Sequence, residues 1–133
     1  MQVSRNKSKY KGLKQFIYSA KYSLDGLFYS YKNERSLRIH AAASMLAIVL
    51  GFFFKISHIQ WALVLVSLAI ILAFELVNTA MEAAIDLVTL EYHELARIAK
   101  DCCSAATFVM SIAGLITMSI IFGPHILNFL NII

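Results

Sequence analysis

The sequence predicts an all-α membrane protein, with three transmembrane helices behind an N-terminal amphipathic helix lying in the membrane interface. Three observations predict it. Apolar residues make up 59% of the 133 residues and charged residues only 15%, more apolar surface than one small soluble core hides. Residues 39–54, 56–74 and 102–133 carry no Asp, Glu, Lys or Arg, and roughly 20 mostly apolar residues cross a bilayer. The segment before these runs repeats its apolar residues at helical spacing.

The length allows one domain, residues 1–133. Its first element is a helix over about 10–33. Leu13, Phe16, Ile17, Ala20, Leu24, Leu27, Phe28 and Tyr31 form the apolar face, and Lys14, Lys21, Asp25 and Lys32 a mostly basic one. Such a helix meets anionic headgroups. It serves as an anchor, or as an anchor that also contacts nucleotide, since basic residues do both; no nucleic-acid partner is expected. The spans fall near 38–56, 60–81 and 102–123, with Arg38 and Lys55 snorkelling from the ends of the first. The single proline, Pro124, leaves room for long helices. Small residues mark close helix contacts: Thr79 with Ala83 and Ala80 with Ala84 on the second span, and Ala105, Ala106, Ala113 and Gly114 on the third. Cys102 and Cys103 are neighbours, which rarely bridge, and read as small helix residues in a reducing environment. No cleavable signal peptide is expected, because the first apolar run follows a long basic segment.

Nine of the twelve Lys and Arg residues precede residue 39; Lys55, Arg97 and Lys100 are the others. The positive-inside rule then puts the N-terminus and the 86–101 loop in the cytoplasm, and the 55–60 turn and C-terminus outside.

The second span carries Glu75, Asn78, Glu82 and Asp86 at spacings of three, four and four, one narrow stripe on a helix. A carboxylate at membrane depth costs several kcal/mol unless something pairs or solvates it. One account is structural carboxylates held by basic partners on a neighbouring helix, with Arg35, Arg38 and Lys100 available. The functional account is favoured by four acidic or amide groups on one face. Glu82 and its neighbours offer hard oxygens, and Mg²⁺ takes one or two carboxylates plus substrate phosphates. Lys100 stands at the mouth of the third span, where an ammonium suits a phosphate. No Walker-type or Gly-rich nucleotide loop is present, so a nucleotide site here is unlike the common soluble ones. Three spans wrap a buried carboxylate poorly, and oligomerisation would supply the missing wall. A non-enzymatic proton or ion pathway is the rival, since intramembrane Glu stripes line such routes too.

The run Glu75-Leu76-Val77-Asn78-Thr79-Ala80-Met81-Glu82 with Asp86, together with Asn33-Glu34, Glu91-Tyr92-His93-Glu94-Leu95 and Ala99-Lys100-Asp101 before Ser104-Ala105-Ala106, resembles the bacterial membrane-embedded diacylglycerol kinase family, which includes the undecaprenol kinases. The resemblance covers nearly the whole chain. It implies a homotrimer with active sites shared between protomers, ATP and Mg²⁺ as cofactors, and a membrane lipid alcohol as substrate. Glu75 would then be the general base on the lipid hydroxyl. Glu34 and Glu82 would hold Mg²⁺ on the ATP phosphates, and Lys100 would contact the transferring phosphate. Asn78 and Asp101 would shape the site, and Asp86 would contact the nucleotide. Arg38-Ile39-His40 stands where Gram-negative diacylglycerol kinases end on an acidic residue. This resembles the Gram-positive, undecaprenol kinase type, with diacylglycerol as the alternative substrate. Lys14 does not align cleanly with the family's basic nucleotide contacts and is assigned no role, and His40 reads as a polar contact or, as is commoner for a His at a helix end, as merely interfacial.

Overall fold

A computed structural model describes residues 12–132, and the described residues form four helices: α1 (Leu13–Asn33), α2 (Arg35–Phe53), α3 (His58–Val88) and α4 (Glu94–Phe129). The part of the first expected helix before residue 12 lies outside the described residues. Helices α2, α3 and α4 are each long and apolar enough to span a membrane. At 1.5 Å per residue, α3 and α4 run about 46 and 54 Å, well beyond a ~30 Å hydrocarbon core.

A single residue breaks α1 from α2. Glu34 is extended, at φ −100° and ψ 121°, and its N–H still donates to Ser30 O at 2.8 Å. Arg38 Nη1 donates to Tyr31 O (3.2 Å) and Lys32 O (2.9 Å), so it caps carbonyls that the end of a helix leaves orphaned. That is a correction to its expected part as a carboxylate partner. One guanidinium nitrogen reaches two carbonyls across its own elbow.

The α2–α3 connection is tight. Lys55 takes a left-handed conformation, φ 52°, Ile56 N donates to Gly51 O (3.2 Å) and Lys55 N to Phe52 O (3.3 Å); this is a Schellman close. Ser57 and Gln60 then open α3 with a reciprocal capping box. Ala47, Ile56, Val64, Leu68, Ile121 and Phe122 form the apolar core near this end. Gly51 has to be glycine here, because a Cβ would stand 2.7 Å from the Trp61 ring.

The connection between α3 and α4 is shorter than the expected 86–101 loop. Only 89–93 is non-helical; Asp86 lies on α3, and Arg97, Lys100 and Asp101 lie on α4. His93 Nδ1 accepts from Leu95 N, and Arg97 pairs with Glu94 (2.6 Å) and Asp101 (2.7 Å) at helical spacing. Both devices extend a helix into polar surroundings. At the opposite end α4 runs through Pro124 without stopping.

The small residues divide their work. Gly114 is buried, and a Cβ on it would meet Ile71 Cδ1 of α3 at 2.4 Å. Thr79, Ala80 and Ala83 face Ser23, Gly26 and Ser30 of α1 across a cavity of about 470 Å³, so α1 of the same chain is their neighbour. Ala84, Ala105 and Ala113 remain exposed in the single chain.

Candidate active site

Helix α3 presents its polar stripe as the sequence predicts. Glu75, Asn78, Glu82 and Asp86 span an arc of about 80° and a rise of about 16 Å. Their burial is graded along that rise. Glu75 is 3% exposed, Asn78 and Glu82 are half-buried, and Asp86 is exposed.

Glu75 is held at both oxygens by α2. Ser36 Oγ donates to Oε2 at 2.7 Å, and His40 Nε2 lies 3.1 Å from Oε1. Ser36 and His40 stand four residues apart, on one face of α2. His40 Nε2 also lies 3.4 Å from Ser111 Oγ of α4. The expected basic partners are therefore not on Glu75: Arg38 caps α1, and Lys100 pairs with Asp86 across the α3–α4 junction. His40 is a first neighbour of the buried carboxylate rather than an interfacial residue. Its spacing of four from Ser36 puts both on one face of α2, but says nothing of which helix that face meets.

One turn above Glu75, Asn78 Nδ2 donates to Glu82 Oε1 at 3.1 Å. Asn78 Oδ1 is buried and, among the described residues, has no hydrogen-bond partner. A buried acceptor with no donor costs about 1–3 kcal/mol, so this atom suits a donor or cation supplied by a ligand. Among the described residues no three His, Cys, Asp or Glu side chains gather as a metal site. Glu82 with the free Asn78 oxygen fits a partial magnesium shell, of the kind that substrate phosphates complete. Glu34 stands half-buried at the α1–α2 elbow. Lys100 and Asp86 meet at the polar end, while Asp101 is exposed and bound to Arg97 rather than drawn toward the stripe.

A largely apolar cavity of about 480 Å³, with Asp25 at its edge, reaches α3 at Leu72, three residues before Glu75. It lies between α1, α2 and α3, and its walls include Leu24, Phe28, Tyr31, Leu37 and Leu72. Leu72 is one turn from Glu75, and Leu37 follows Ser36.

A family profile described as "Prokaryotic diacylglycerol kinase" matches residues 21–122. The chain is 32% identical to an undecaprenol kinase of Bacillus subtilis over 114 residues, covering 86% of this chain and 93% of that one. It is 38% identical to a diacylglycerol kinase of Haemophilus influenzae over 112 residues, 84% and 95% of the two chains. It is 34% identical to a diacylglycerol kinase of Escherichia coli K12 over 114 residues, 86% and 93%. Matches of this extent displace the rival reading as a non-enzymatic ion pathway. The chain belongs to the prokaryotic diacylglycerol kinase family and is an integral-membrane, ATP-dependent lipid kinase.

Proposed function

We propose that this kinase transfers the γ-phosphate of ATP to undecaprenol, giving undecaprenyl phosphate and ADP, at the cytoplasmic face of the membrane. The observation that carries the chemistry is Glu75, a carboxylate 3% exposed with both oxygens engaged from α2. The lipid hydroxyl oxygen attacks the γ-phosphorus, its proton passes to the Glu75 carboxylate, and the bond from the γ-phosphorus to the β–γ bridging oxygen breaks to release ADP. Lys100 leaves Asp86 to meet the transferring phosphate, and Asp86 turns to the nucleotide. Glu34 and Glu82 would hold Mg²⁺, which when bound neutralises charge on the phosphate oxygens. Asn78 offers its free oxygen to the same region, and Asp101 shapes the nearby rim.

The Arg38-Ile39-His40 segment and the undecaprenol kinase relative support the polyprenol as substrate. Diacylglycerol is the alternative, supported by the relatives that bear that name. Apolar walls discriminate chains weakly, at about 0.8 kcal/mol per methylene, so the preference appears as a ratio of rates. The purified chain, given ATP and equal amounts of undecaprenol and diacylglycerol in mixed micelles, should phosphorylate the polyprenol faster. Much faster phosphorylation of diacylglycerol would overturn this choice. The homotrimer that the family resemblance implies would let neighbouring protomers complete each site.

A further inference from the structure

We propose that His40 is a positioning residue of this kinase, holding the Glu75 carboxylate in its working orientation together with Ser36. The proposal rests on Glu75 as the base and goes one step outward from it.

The hydrogen positions follow from the neighbours. Glu75 Oε1 only accepts, and it lies 3.1 Å from His40 Nε2. Ser111 Oγ donates its own proton to Thr107 O at 2.9 Å, so toward Nε2 at 3.4 Å it acts as an acceptor. Two acceptors facing one nitrogen place the proton on Nε2. His40 then donates to Oε1 while Ser36 donates to Oε2 at 2.7 Å. Donors one turn apart on α2 thus form a fork around a carboxylate of α3. The fork is braced from behind by α4, whose Ser111 Oγ lies against His40 Nε2. Rotation of the carboxylate about its last torsion would break both donor contacts together.

A carboxylate oxygen has two lone-pair directions, and the fork occupies one on each, leaving a fixed direction for an incoming hydroxyl. An Arg or Lys in this place would hold a permanent charge against the carboxylate and make it a poorer proton acceptor. Imidazole orients the group without that permanent charge. Misplacement of a reacting group by about 1 Å costs on the order of 10²-fold, which sets the scale of the expected effect.

The test uses the full chain in lipid vesicles with His40→Ala, His40→Gln, Glu75→Gln and the double variant His40→Ala/Glu75→Gln. Gln carries an N–H near the position of Nε2. His40→Ala should lower kcat about 10- to 100-fold with little change in the ATP KM, and His40→Gln should recover most of that loss. In the Glu75→Gln background the His40→Ala change should add less than about twofold, because groups acting as a unit are not additive. Near-normal kcat in His40→Ala, or losses that multiply in the double variant, would overturn the proposal. If His40→Ala fails to assemble, His40→Gln against the shorter His40→Asn decides: Gln well above Asn supports positioning, and equal rates sink it. Near-normal turnover in Glu75→Gln would sink the base itself. An inactive Glu75→Gln beside a fully active His40→Ala would sink only the role of His40.

Discussion

Replacing Glu75 by Gln keeps the shape of the side chain and removes its capacity to take a proton. General-base catalysis is worth about 10²- to 10⁴-fold, and steady-state turnover of the purified variant should fall within that range. Assembly should survive, since an amide is cheaper to bury than a carboxylate. Glu82→Gln tests the other end of the stripe. Gln keeps the acceptor for Asn78 Nδ2 and loses the charge, so turnover should drop sharply and recover in part at raised Mg²⁺; a Mg²⁺ titration of the rate reads this directly, and unchanged turnover would remove Glu82 from the site. At this scale the stripe was legible because all four residues share one helix, where spacing alone fixes the face. The partners of Glu75 were not legible. They come from α2, and the rotation of one helix against another is set by packing that no spacing within either helix reveals. Charge pointed to Arg38 and Lys100; geometry gave Arg38 to the carbonyls of α1 and Lys100 to Asp86.

Arg38 acts on the joint between two helices more than on any ligand. Arg38→Ala removes two donors from the end of α1, each worth about 1.5–3 kcal/mol at most and less where water competes. The expected outcome is an assembled protein with a looser elbow, faster proteolysis near residues 31–35 and a severalfold loss of activity, because Glu34 sits in that joint. Unchanged proteolysis would show that the cap is idle. At the other end of α2, Gly51→Ala drives a Cβ to 2.7 Å from Trp61, whose ring lies 4.9 Å from that of Phe52. Overpacking of this kind costs about 1–3 kcal/mol, so thermal unfolding should come at lower temperature while turnover measured well below it stays near normal. The three apolar helices were legible from charge-free runs, whose length the bilayer dictates. Their polar extensions were less so, since Glu94, Arg97 and Asp101 look like loop composition and become helix through i,i+3 and i,i+4 pairing.

For the molecule as a whole, the excess of Lys and Arg before residue 39 predicts that the polar end of the bundle faces the cytoplasm. Single cysteines at His58 and Glu91, placed in a background without Cys102 and Cys103, should react with a membrane-impermeant thiol reagent from opposite sides of intact cells. Labelling of the Glu91 site from outside and of the His58 site only from inside would reverse the orientation and part the stripe from ATP. The two ends of α2 are also joined to their neighbours in different ways. Between α2 and α3 only residues 54–57 intervene, locked by a Schellman close and a capping box, whereas the other end of α2 meets α1 through the single extended Glu34. A connection as short as 54–57 offers almost no loop to a protease, an antibody or a water-soluble inhibitor.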